Sequence, residues 1–473
     1  MLPRKPEAPL FSRGYRTWML AALVVMNALN LADRQGIAVS LQSIKIDLRL
    51  SDWILGLIQG FGFAIFYSLM GLPLARLAEH ASRTKIIAAS VALFGAMSAL
   101  CGTAKSWVAL LLFRVGVGVG DAGLGPPVAS LIGDCYPMGK RSSVMSIIWL
   151  GAPLGVIAGS AGAGWITQHV SWRATFAAIG IPAMVFSVVA LFTMREPPRG
   201  LLDTGNISRE PPPTIWTVMR FLFAKRSMWH VLIGCALAAT AMNAIGQFLA
   251  PFLQRNFHLG AAAAGRLVAL IAGAAMASGL LLGGFGVDWA SRVDRRWFVW
   301  GPALGLTLSA PLFLLGFTQL AVPAAVVLFI AAHVAMFVYY APTLGLAQNM
   351  VGADMRASSA FFVALVLGLV GIGLGPTLVG FLSVHFATQA FGLGAYAASC
   401  PGGLPAPGAP QALAAACASA SATGLKHALM VMSLLSLWAA AHYGLAGRRL
   451  REDLDRRYQS IAAALDATTP ARP

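Results

Sequence analysis

RVGVGVGDAGLGPPVASLIGD, residues Arg114 to Asp134, is the stretch on which the reading of the fold turns. It lies in an apolar run that begins near Trp107. Arg114 and Asp121 are seven residues apart, about two helical turns, so they project from one face of a helix. Gly116, Gly118 and Gly120 between them remove side-chain bulk and allow close helix contact. Ionised groups in so apolar a segment are costly in lipid and must face a protein interior or a watery cavity. Two readings follow: a structural buried ion pair, or a helix that lines a transport path. The rest of the chain supports the second.

Of the 473 residues, 58% are hydrophobic and only 11% charged, and the mean hydropathy is +0.73. A soluble protein carries about 25% charged residues. Apolar runs long enough to span a bilayer recur from end to end. Their continuity, without alternation, excludes a β-barrel and predicts an all-α polytopic membrane protein. Twelve spans are expected, at 17–43, 52–78, 84–103, 107–134, 141–168, 172–194, 228–254, 262–287, 297–318, 322–350, 357–386 and 424–446. They divide into a first six-helix bundle, 1–194, a Pro- and charge-rich linker, 195–227, a second bundle, 228–446, and a tail, 447–473.

The formal charge of +17 raises the question of nucleic acid, but its placement answers it. With the N-terminus inside, 25 of the 34 Lys and Arg fall in inside segments and 7 in outside loops; Arg34 and Arg114 lie within helices. That asymmetry orients the chain with both termini cytoplasmic and leaves no nucleic-acid footprint. Arg4, Lys5, Arg13 and Arg16 before the first apolar run resemble a signal peptide. The run continues through Asn27, Asn30, Asp33 and Arg34 without a small-residue cleavage site and reads as a spanning helix.

Asn27, Asn30 and Arg34 form a polar stripe at spacings of three and four, with Asp33 beside it. Such a stripe belongs toward the bundle interior. Helix depth places Asp33 level with Arg114 and leaves Asp121 deeper, so all four charges are expected in one central network of zero net charge. Asn243 and Gln247 share a face of the seventh span. His333 lies in the tenth and reads either as a core residue or as a proton carrier.

The loop after the second span, with Glu79 and Arg83, has a counterpart after the eighth, GGFGVDWASRVDRR, with Asp288. Similar loops at equivalent places mark a duplicated six-helix unit. Their charges are expected to clamp helix ends on the cytoplasmic side, together with Asp134 and Arg141. Gly151, Pro153 and Gly155 in the fifth span, and the glycines with Pro376 in the eleventh, form a matched pair of interrupted helices. They read as close-packing faces or as hinges.

Cys101, Cys135 and Cys235 are isolated, and no Cys/His cluster has metal-ligand spacing. Cys400 and Cys417 both lie in the last outside loop, 388–423, where an oxidising bacterial periplasm favours a disulfide over two unrelated thiols. No Gly-x-x-x-x-Gly-Lys loop binds ATP, no nucleophile–base arrangement or cofactor motif is present, and an enzyme or an attached signalling domain is not expected.

Together these segments resemble the Major Facilitator Superfamily. The loop ARLAEHASRT stands where that family has Gly-x-Leu-Ala-Asp-Arg-x-Gly-Arg-Arg, with Glu79 and His80 replacing Asp and Arg. Within the superfamily the chain is similar to Spinster-type transporters. Asn30, Asp33 and Arg34 match their Asn-x-x-Asp-Arg. Arg114, Gly118, Gly120, Asp121 and Ala122, followed by Ile132, Gly133 and Asp134, match their fourth-helix pattern, with Asp121 where that group usually has Glu. The resemblance implies two six-helix bundles related by a pseudo-two-fold axis and rocking about a central site. It implies secondary transport of an amphipathic organic anion, a lysolipid or sphingoid phosphate, in the bacterial inner membrane. Guanidinium chemistry suits Arg34 and Arg114 to the anionic head, and the acid–base pairing of the first and fourth spans is expected to link a proton by symport, in a monomer amid membrane lipids. Proton-driven multidrug efflux is the alternative.

Overall fold

The computed structural model describes residues 11–136, 138–198, 215–351, 355–392 and 394–453. Every regular element among them is helical. Among the described residues eleven helical stretches are long and apolar enough to cross a membrane, and the 36-residue helix Arg13–Leu48, long enough but more polar, is numbered with them. In chain order they are α1 (Arg13–Leu48), α2 (Asp52–Ala78), α3 (Arg83–Cys101), α4 (Trp107–Cys135), α5 (Val144–His169) and α6 (Trp172–Thr193). Then follow α7 (Arg226–Asn256), α8 (Ala261–Ser291), α9 (Trp297–Thr318), α10 (Val322–Asn349), α11 (Phe362–Phe391) and α12 (Gln411–Ala446). The polar stripe and charged ends of α1 set it apart from the other eleven.

Local chemistry marks the helix starts. Ser51, Ser82, Ser106 and Ser171 each accept a hydrogen bond from the backbone amide three residues on, which satisfies one orphan donor of α2, α3, α4 and α6. α1 ends at Arg49, whose φ of 51° takes the left-handed conformation that stops a helix. α2 is broken at Gly60, and α8 and α11 each contain a π-helical turn in a glycine-rich stretch, Leu282–Gly286 and Leu367–Ile372.

The chain forms two compact units. The first gathers α1, α2 from Gly62 onward, α3 to α6 and Leu259–Ala269; the second gathers Arg49–Phe61, α7, the rest of α8 and α9 to α12. Each unit thus includes the first turns of one helix from the other half of the sequence. The internal repeat extends to packing. In the first unit Gly159 of α5 faces Ala32 of α1, and Gly164 faces Ala261 and Gly265. In the second, Gly371 and Gly375 of α11 face Ala239 and Thr240 of α7, and Gly380 faces Trp53. These glycines therefore serve contact, as small residues do where backbones approach in lipid.

The last helix starts at Gln411, thirteen residues earlier than the apolar run alone suggests. The extension, QALAAACASASAT, is too polar to read as membrane-buried, but alanine is the strongest helix former and Pro410 stands just before its first turn. Cys417 on this extension is joined to Cys400 in a disulfide with Cα atoms 5.7 Å apart. Phe391, Tyr396, Ala387 and Ala420 pack around it. The bridge closes 17 residues of chain, which contributes about 3 kcal/mol on the chain-entropy estimate. Cys400→Ser/Cys417→Ser is expected to lower thermal stability in detergent to that extent while leaving transport in place. Unchanged melting under reducing and oxidising conditions would show that the bridge stabilises nothing.

Candidate functional site

α4 can carry a charged pair because its alternate glycines let it lie against two neighbours. A Cβ at Gly118 would stand 2.7 Å from the Phe63 carbonyl oxygen of α2, and one at Gly120 would stand 2.6 Å from the Phe94 nitrogen of α3. With those contacts made, Arg114 and Asp121 both meet α1.

Two ion pairs result. Arg114 Nη1 donates to Asp33 Oδ2 at 2.5 Å, and Ser98 Oγ of α3 donates to Asp33 Oδ1 at 2.5 Å. Both carboxylate oxygens are engaged, and the side chains of Arg114 and Asp33 are 2% and 0% exposed. Arg34 donates to Asp121 Oδ2 through Nη2 at 2.8 Å and Nε at 3.3 Å. This second pair is less enclosed. The Arg34 side chain keeps 20% of its surface exposed, and Asp121 Oδ1 is buried with no hydrogen-bond partner. Arg114 Nε is likewise without a partner. The Phe63 ring lies 4.6 Å from the Arg34 guanidinium and 5.4 Å from that of Arg114, and Tyr67 stacks on Phe63 and meets Arg34 at 5.3 Å. Aromatic faces stabilise a desolvated guanidinium by cation–π attraction. Phe63, Tyr67 and Ser98 were not legible as site residues, since a lone aromatic or serine in a spanning helix is ordinary.

The other polar candidates are dispersed. Asn27 donates to the Ile148 carbonyl at 3.0 Å, which ties α1 to α5; Asn30 is buried. In the second unit Asn243 donates to its own helix at Ala239, and Gln247 accepts from Gln59 at 2.9 Å. His333 is buried, with Nδ1 2.7 Å from the Phe329 carbonyl and its ring edge-on to Phe313. The structure gives it an aromatic setting within the second unit. A further buried pair occurs in the second unit. Arg255 donates to both oxygens of Asp52 at 2.6 and 2.8 Å, and Ser383 donates to Asp52 Oδ2 at 2.7 Å. Asp52 follows the Ser51 cap and reads in sequence as an ordinary first-turn acid.

At the loop-facing ends, Arg83 is bound to Asp134, to Ser130 and, through Nε at 2.6 Å, to Glu196. Arg141 Nε donates to the Tyr136 carbonyl. Gly151 and Gly155 pack on α1 at Val24 and Ala28, with Pro153 between them half-buried. The Glu79 side chain lies outside the described residues. Asp288 is exposed, and in its loop Asp294 instead pairs with Arg451 at 2.6 Å. Glu196 sits in a segment that reads only as linker. Burial opposes its ionisation, but the Thr84 amide, the Arg83 guanidinium and the Ser82 hydroxyl outweigh burial and hold the carboxyl below its usual range. A carboxyl whose folded value is depressed stabilises the fold above its unfolded value, and that contribution fades as pH falls through the folded one. Wild type is therefore expected to lose stability below about pH 4.3 more steeply than Glu196→Gln. Parallel melting curves of the two proteins against pH would remove Glu196 from this role.

The sequence profile of the Major Facilitator Superfamily matches residues 23–376. The structure is similar to that of a bacterial homologue of the human lysosomal transporter Spinster, described in an inward-facing, unoccupied conformation. The two share 30% identity at a TM-score of 0.85, over 94% of this chain and 99% of the other. An MFS-type efflux pump of Mycolicibacterium smegmatis is 29% identical over 374 residues, 78% of this chain and 85% of its own length. A nucleoside transporter of 12% identity, with a TM-score of 0.67 over 90% of this chain and 98% of its own, shares the fold alone. The chain belongs to the Major Facilitator Superfamily, as a transporter of the Spinster type.

Proposed function

We propose that the protein carries an amphipathic organic anion, of the lysolipid or sphingoid-phosphate kind, by alternating access and together with a proton. The halves 1–194 and 228–446 are the moving bodies, 195–227 is the cytoplasmic linker, and 447–473 is the cytoplasmic tail. The membrane is a bacterial inner membrane with both termini inside, and the working unit is a monomer.

The difference between the two ion pairs carries this reading. Arg114 is closed in by Asp33, whose other oxygen Ser98 holds, and gives the site its structure, although its sequence position is equally suited to an anion. Arg34 is the guanidinium that an anion can reach, since it is partly exposed and its partner Asp121 retains an unused oxygen. Guanidinium matches carboxylate and phosphate geometry, and Phe63 and Tyr67 beside it suit an apolar substituent. An anion that takes over Arg34 leaves Asp121 buried without its cation, and a carboxylate so placed binds a proton. The same oxygen supports a second reading, in which a cationic compound and a proton compete for Asp121, as exchange would require. The similarity to an MFS-type efflux pump favours that reading.

Proteoliposomes containing the purified protein separate the two. An imposed proton gradient is expected to drive a radiolabelled lysophospholipid in the direction of proton flow, with Arg34→Gln at least tenfold slower. Movement of a lipophilic cation against proton flow, with no lysolipid transport, would establish exchange instead.

A further inference from the structure

At one end of the second unit, the turn after α8 carries Arg292, Arg295 and Arg296, and the end of α12 leads into Arg448, Arg449 and Arg451. Two contacts bring these segments together. Arg451 donates to both oxygens of Asp294, at 2.6 and 3.2 Å. Gly447 meets Trp300 so closely that a Cβ there would stand 2.7 Å from the indole nitrogen. Among the described residues four carboxylates are nearby, but Asp294 is engaged by Arg451, and Asp453 accepts from the Ser227 amide and hydroxyl. Asp288 and Glu452 are exposed. The arginines outnumber the acids. Arg296, its guanidinium 5.6 Å from the Trp300 ring, has a buried Nε with no partner.

An apolar row leads up to this cluster. Phe285, Trp289 and Val293 are four residues apart and are 75%, 71% and 86% exposed. Scattered exposed apolar residues are ordinary, but a row that ends among arginines has a specific counterpart in a bilayer. Indole rings settle at the boundary between hydrocarbon and headgroups, and clustered arginines there attract anionic lipid. The distribution of Lys and Arg makes this the cytoplasmic end.

We propose that this end of the second unit binds the headgroup of an anionic phospholipid. The arginines of the α8–α9 turn and of the α12 end hold the phosphate, and Phe285, Trp289 and Val293 lie along the acyl chains. A lipid is the occupant, not free phosphate, because the apolar row and the cations form one continuous surface.

Thermal unfolding and native mass spectrometry of the full chain in neutral detergent test this, with phosphatidylglycerol, phosphatidylcholine or inorganic phosphate added. Phosphatidylglycerol is expected to remain bound and to raise the melting midpoint by several degrees, whereas phosphatidylcholine and phosphate do neither. The shift should shrink as salt screens the arginines, and Arg292→Gln/Arg295→Gln/Arg448→Gln should lose most of it. Equal stabilisation by the two lipids, or a full phosphatidylglycerol shift in the triple variant, would overturn the site. Equal stabilisation by phosphate would overturn the lipid assignment. If the triple variant does not fold, the lipid contrast and the salt dependence of wild type decide.

Discussion

Asp121→Asn is expected to make transport indifferent to pH while leaving ligand binding measurable. The side chain sits at the meeting of α1 and α4, where Oδ2 takes both bonds from Arg34 and Oδ1 takes none. Asparagine keeps the shape and can still accept from Arg34, but it neither competes with an anion for that guanidinium nor takes up a proton. The link between substrate and proton is then lost, and by reciprocity the proton no longer alters substrate affinity. Coupling energies of this kind correspond to about 5–150-fold in affinity, so a wild-type dependence of that size should flatten in the variant. Uptake by proteoliposomes at a series of pH values, with no gradient imposed, measures it. An unchanged pH profile would make Asp121 structural and move the proton to another carboxylate, with Asp33 next in line.

Breaking the closed pair should cost stability first and transport as a consequence. Asp33→Ala removes the one carboxylate bonded to the buried Arg114 guanidinium, which keeps the Phe63 ring beside it and whose Nε is already unpartnered. Removal of one member of a buried pair costs about 3–5 kcal/mol, because the other charge stays buried and uncompensated. Removing both members with apolar residues of similar volume is far less costly, so Asp33→Leu/Arg114→Met should recover much of the loss. Denaturation of the three proteins in one detergent gives the comparison. A single variant as stable as wild type, or a double variant no better than the single, would show that the pair is not an isolated buried charge pair.

The class of fold was legible because lipid imposes strong rules. Length, apolarity and the placement of Lys and Arg suffice to find membrane helices, and the repeated loops and Gly/Pro helices point to two related halves. The pairing of Asp33 with Arg114 was legible too, since helix rise sets depth. What depth does not give is lateral direction. Arg34 reaches Asp121 although the two differ in depth, because a long guanidinium side chain spans the gap and Gly118 and Gly120 draw α4 in. Glu196 lay in a stretch of linker composition, where nothing distinguishes a clamping acid from a solvated one. By hydropathy residues 411–423 read as loop, and it is alanine's helix propensity that makes them helical.

The central claim is that anion and proton bind together, and calorimetry tests it most directly. The purified protein is titrated with an amphipathic alkyl sulfonate, whose own charge does not change with pH, in two buffers of different ionisation enthalpy. The account predicts tighter binding as pH falls through the neutral range, with uptake of about one proton per ligand bound and none in Asp121→Asn. Proton release on binding, or an affinity that does not change with pH in the wild-type protein, would contradict it.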